Sequence, residues 1–153
     1  MGFHSTLLLI HLTSACIWFG GYMVMSFVIL PQTKRANDPR ILIDFDRSFA
    51  KFALPALLGQ LITGPLMALQ FYPNVLDWFK FQNGAQDHIA SKIVFLFIIL
   101  YLFVRMRTKV MPRLLAGDPT AMKSASRSTH WITFLAFSNV LMGLSVHTGG
   151  FAY

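Results

Sequence analysis

The residues best able to do chemistry in this chain are its histidines, five in all. His4 and His11 stand near the start of one long apolar stretch, His88 at the start of another, and His147 at the end of a third. His130 opens that last stretch from its other end. By the roughly twenty residues needed to cross a bilayer, the apolar stretches fall at 5–31, 50–71, 89–108 and 130–149. Four antiparallel crossings bring His4, His11, His88 and His147 to one face and leave His130 at the other. Neutral imidazole is the commonest ligand of metals and a standard ligand of heme iron. Imidazoles gathered at one depth of an apolar bundle therefore point to a redox or metal site.

Composition supports the bundle that would hold them. Of 153 residues, 55% are hydrophobic and 12% charged, a balance that excludes a water-soluble domain. The connections are too short for a folded soluble unit, so residues 1–153 read as one all-α membrane domain, a four-transmembrane-helix antiparallel bundle. Glutamate is absent, and Asp38, Asp44, Asp46, Asp77, Asp87 and Asp118 all sit in loops or at loop edges. Proton-coupled transporters set carboxylates inside their spans, which counts against that class. The net charge of +7 would suit nucleic acid, but its placement argues for a membrane surface instead. Eleven basic residues follow span one or lie between spans three and four, while Lys80 and Lys92 alone occupy the opposite side. This asymmetry puts the basic loops in the cytoplasm against anionic headgroups, and both termini and the histidine cluster in the periplasm of a bacterial inner membrane. The first span lacks a basic leader and is too long for a signal-peptide core. The single cysteine, Cys16, allows neither an intrachain disulfide nor a thioether-linked heme.

Along the chain, Pro31 is expected to close span one, and 32–48 to form a polar, basic linker. Span two begins near Phe49, with Pro55 in its first turns and Pro65 inside it, where the freed Leu61 carbonyl makes a kink. The external segment 72–87 carries Tyr72, Trp78, Phe79 and Phe81, read as an interfacial aromatic belt, with a lid as the alternative. Span three starts near His88 and runs out at Arg105 and Arg107, and no internal repeat stands out.

On the first helix His4, His11, Trp18 and Met25 recur every seven residues and form one stripe. His11 lies about 10 Å deeper than His4, so it must face inward and find a partner. The plain alternative is a packing histidine bonded to a neighbouring helix. His147 sits at a similar depth, and His88 shares a face with Lys92 one turn on. Lys92 either snorkels outward or pairs with an anionic group such as a heme propionate. The favoured axial pair is His11 with His147, then His11 with His88, leaving His4 and its neighbours for copper. His130 beside Trp131, and Gln60 and Asn139 at mid-span, need only interfacial or interhelical roles.

The run from His11 through Trp18, Gly20 and Gly21 to Leu30-Pro31 resembles the first helix of small CopD-family (copper-resistance D) membrane proteins. Phe49-Ala-Lys-Phe-Ala-Leu-Pro55 to Gln60, Thr63-Gly64, the early Lys92 and the closing Thr148-Gly149-Gly150 fit the same family across all four spans. A more distant similarity is to HemJ-type protoporphyrinogen oxidases, through His11, Trp18 and Lys92. His88 stands four residues before Lys92, where that family places its histidine two before, and the glutamate of its closing helix is missing. The resemblance implies a bacterial inner-membrane protein tied to copper handling or to heme b.

The expectation is therefore a heme b-binding electron-transfer protein with His11, His147, His88, Lys92 and Trp18 around the cofactor. Copper at His4, His11, His88 and His147 is the second candidate. A heme-free copper import or tolerance protein and a protoporphyrinogen oxidase-like enzyme, then a heme-dependent oxidoreductase, are the alternatives. Glycine-lined helices further suggest a homo-oligomer, dimer or trimer, embedded in membrane lipid, with an unknown redox partner and no nucleic acid.

Overall fold

The computed structural model describes residues 2–148, and for 145–148 the backbone alone. Among the described residues the chain forms four long helices and no strand. They are α1 (Phe3–Ala36), α2 (Arg40–Phe71), α3 (Gly84–Leu115) and α4 (Ala121–Thr148). The first three are long and apolar enough to cross a membrane. In each, few residues of the apolar stretch are fully buried, and large hydrophobic side chains reach the outer surface. Phe27, Leu58, Ile62, Phe97 and Phe134 face outward, whereas Ser14, Ser26, Thr33, Thr63, Thr129 and Thr133 are buried. Apolar outside and small polar inside suits lipid as the surrounding medium, and the protein is a multi-pass membrane bundle.

Neighbouring helices run antiparallel. The start of α1 meets the end of α2, where His4 bonds Gln70, and Lys34 near the end of α1 donates to Ser126 early in α4 at 3.0 Å. α1 packs most extensively on α2, α3 on α4, and α1 against α4 joins the two hairpins. Trp18, Tyr22, Met25, Phe103, Met106 and Ile132 form the centre of the core, with Trp18 lying 5.2 Å from Phe103, ring centre to ring centre.

The helices extend well past the expected spans, and the segments expected as polar linkers are largely helical. Only Asn37–Pro39 separates α1 from α2, because Leu30, Thr33, Leu42 and Ile43 are buried and draw the extra turns onto the core. Pro31 does not close α1. A π-turn at Met25–Ile29 widens the helix just before it, and Leu30 donates to the Met25 carbonyl, so the ring is accommodated and the helix continues. With α2 starting at Arg40, Pro55 lies in the helix interior rather than its first turns. α3 starts earlier than expected because Asn83 caps it, accepting from the Gln86 N–H at 3.0 Å.

An internal repeat, not evident from the sequence, emerges from the backbone. α3 carries a second π-turn, Met106–Val110, followed by Pro112 just as Pro31 follows the first. Both helices end in a left-handed residue, Asn37 (φ 50°) and Gly117 (φ 77°), followed by Asp-Pro. Asp38 and Asp118 each donate their N–H to the carbonyl five residues back, Thr33 and Arg113. Each carboxylate accepts from the N–H two residues on, at Arg40 and Thr120. α1–α2 and α3–α4 are thus two copies of one helical hairpin, in the same direction, as in parallel-repeat membrane folds.

The hairpin turn generates two predictions. A Cβ at Gly117 meets no atom within 4 Å, so Gly117→Ala costs only the left-handed strain, about 1–2 kcal/mol, read as a lowered thermal midpoint in detergent. The Asp118 carboxyl is held down at about 2 by hydrogen bonds from Thr120 and Arg113. A depressed carboxylate contributes fully above its usual range and loses that contribution as pH falls through about 2. The stability gap between wild type and Asp118→Asn should therefore be constant near neutrality and close between pH 4 and 2, as estimated from that linkage.

Candidate functional site

His11 faces inward from α1 toward α2, because Gly64 there lacks a side chain. A Cβ on Gly64 would stand 3.4 Å from the His11 Cε1. The His11 Nδ1 lies 2.9 Å from the Thr63 hydroxyl oxygen, and the Thr63 hydroxyl lies 2.6 Å from the Gly59 carbonyl. With the Thr63 proton directed at the Gly59 carbonyl, the hydroxyl oxygen accepts from a protonated His11 Nδ1, the tautomer in which Nε2 of a neutral ring carries the lone pair.

Lys92 comes to the same level from α3. Its Nζ would lie 3.3 Å from a Cβ on Gly143 of α4, so the amine occupies the space that glycine leaves. His11 and Lys92 are within electrostatic reach of one another. Among the described residues Lys92 has no carboxylate partner. The two groups hold equivalent places in the repeat. Each stands fourteen residues before the methionine that opens its π-turn. Thr63 and Gly143 likewise each lie twenty-five residues after the Asp of their hairpin turn. One layer of the bundle thus takes an imidazole from one hairpin and an amine from the other.

Trp18, two turns along α1 from His11, is buried against Tyr22 and Phe103. Its indole N–H has no acceptor among the described residues. In an apolar interior such a donor suits an acceptor brought by a ligand.

The other histidines are distributed differently. His4 bonds Gln70 and stands edge-on to Phe71, at the end of the α1–α2 pair. His88 is half-buried in the second turn of α3. His130 is exposed and its Nδ1 lies 2.6 Å from the Ser126 carbonyl oxygen of the same helix. The His147 side chain lies outside the described residues, as does the Gly149-Gly150 ending, while the helix backbone carries position 147 one turn beyond Gly143. Among the described residues no three of His, Cys, Asp or Glu assemble as a metal group. Sequence reasoning singled out His11 and Lys92 but missed that Thr63, Gly64 and Gly143 shape their surroundings. The equal spacing from each Asp-Pro turn was the available signal. The segment 72–87 folds around a 3-10 turn, Val75–Phe79, with Trp78 buried and donating to the Tyr72 carbonyl at 2.9 Å, while Phe79 and Phe81 stay exposed.

Thr63→Val keeps the shape of the side chain and leaves the His11 N–H unpaired, at a cost of about 1–3 kcal/mol. Thermal unfolding should show that loss, with Thr63→Ser recovering most of it. Equal stability of the two variants would contradict the bond.

Comparison with known proteins adds no relative: no protein-family model, curated protein or solved structure matches the chain.

Proposed function

We propose that this protein binds heme b within a bacterial inner membrane and serves electron transfer, with His11 as an axial ligand. The observation that carries the reading is the His11–Thr63–Gly59 chain of contacts: with Thr63 donating to Gly59, its oxygen would accept from Nδ1 and leave Nε2 for the iron. Metal-ligating histidines characteristically have the second ring nitrogen tied in this way, which fixes the ring and raises its basicity. The remaining features suit the same group. Among the described residues Lys92 has no carboxylate partner, which would suit a propionate, and the Trp18 indole N–H has no acceptor. His147, ahead of His88, is the second axial candidate.

Heme is favoured over copper because of the number of donors. A porphyrin brings four nitrogens of its own and asks one or two ligands of the protein, whereas a bare ion depends on protein donors throughout. No three-residue metal group is present among the described residues to supply them. Bound heme supplies a one-electron iron couple. This chain's residues would hold and orient it: Thr63 would aim the imidazole, Lys92 would balance negative charge, and the core rings would exclude water. With the basic loops in the cytoplasm the site lies toward the periplasm, and a dimer or trimer is the proposed assembly.

The test is the absorption spectrum of detergent-purified protein, oxidised and then dithionite-reduced, from heme-sufficient cells. The expected result is a Soret band with sharp reduced α and β bands, lost in His11→Ala. Thr63→Val should retain the bands at heme affinity lowered about 10- to 100-fold. A colourless wild type that binds copper would move the metal-ion reading to the front.

A further inference from the structure

Away from the histidine layer, at the basic end of the bundle, a groove of about 230 Å³ opens between α3 and α4. Tyr101, Arg105, Ser124, Arg127, Ser128 and Trp131 line it. Two guanidinium groups therefore share one cleft, and among the described residues neither has a carboxylate partner. The neighbouring arginines differ: Arg107 is paired with Asp46 at 2.8 Å and Arg113 with Asp118 at 2.7 Å. Arg105 is held in place, donating to the buried Ser128 hydroxyl at 3.2 Å. Arg127 is exposed and has no protein partner among the described residues. Two guanidinium forks on one cleft, free of carboxylates, suit a phosphate oxyanion, which each can bind through parallel N–H donors.

The surroundings indicate which anion. A second, apolar trough of about 350 Å³ adjoins the groove and shares Arg127 and Trp131 with it, continuing along His130 and Phe134. Tyr101 and Trp131 are 65% and 53% exposed, so both rings lie on the outer surface, at the border where the apolar run of α3 ends at Arg105 and that of α4 begins. Aromatic side chains at such borders mark the headgroup level. Charge above, an aromatic pair at the border and an apolar trough below match an amphiphile in the bilayer leaflet. We infer that this groove is a specific site for an anionic phospholipid. Its phosphate is held by Arg105 and Arg127 with the Ser124 hydroxyl, and its acyl chain lies along Trp131 and Phe134. The inference is independent of heme.

The experiment uses the full chain in lipid nanodiscs and reads Trp131 fluorescence, taken as the difference from Trp131→Phe. Lipids brominated in the acyl chain serve as the quenching probe, phosphatidylglycerol against phosphatidylcholine at equal mole fraction. The expected result is roughly thirtyfold enrichment of the anionic lipid at the groove, as two basic groups near a surface can produce at about 1 kcal/mol each. That enrichment should disappear in Arg127→Gln, whose exposed side chain can be replaced without disturbing the fold, and persist in Arg35→Gln/Arg40→Gln on the same side. Equal quenching by both lipids, or a preference that survives Arg127→Gln, would overturn the site. Loss of preference in the Arg35/Arg40 variant would overturn it too, assigning the preference to the whole basic face. Its erasure by inorganic phosphate, but not by chloride at matched ionic strength, would make free phosphate the ligand and overturn the lipid assignment.

Discussion

The structure depends on one constraint: in an apolar surrounding, each backbone or side-chain polar group must find its partner inside the bundle. The helices satisfy most of this by their own ladders. Where a proline breaks the ladder, buried hydroxyls gather nearby. Ser26 lies 2.6 Å from the Thr133 hydroxyl, which in turn reaches the Tyr22 carbonyl at 3.1 Å beside the first π-turn. Thr129 stands between the sulfurs of Met25 and Met106, the residues that open the two π-turns, at 3.7 and 3.6 Å. These small polar contacts hold helices together where hydrophobicity cannot, since lipid is as apolar as leucine. The same rule explains the Thr63 relay. A half-buried imidazole needs a partner, and satisfying one nitrogen defines what the other can do.

The repeat gives that relay its setting. Each hairpin contributes a first helix widened by a π-turn before a proline, and a second helix bringing a small residue to the level of the partner's polar group. In one copy the pair is His11 with Thr63 and Gly64, in the other Lys92 with Gly143. Equivalent positions thus hold different chemistry, an imidazole and an amine. At the other end Asp46 and Arg107 link α2 to α3 in a largely buried pair, with the guanidinium also over the Phe103 ring. That pair is one tie between the hairpins at the basic face.

Much of the architecture was legible in the order of residues. The four apolar stretches, the antiparallel order and the inward turn of His11 followed from length, composition and the cost of an isolated imidazole in lipid. Helix ends were less legible. Pro31 and Pro112 look like terminators, and only the π-turns before them show that the helices continue. The repeat escaped notice because its signature is conformational: Asn37 and Gly117 share a left-handed backbone but not a side chain.

Residue types by themselves determined that this is an apolar helical bundle with basic loops on one side and imidazoles mostly on the other, because hydropathy and charge act locally and add along the chain. Tertiary structure alone decided which groups meet. His11 meets Thr63, Lys92 fills the gap over Gly143, and Arg105 and Arg127 face one cleft. The reason is rotational. A helix's rotation about its axis is set by close packing of small residues on its neighbours, and a modest turn would exchange every partner named here without altering the pattern of apolar residues.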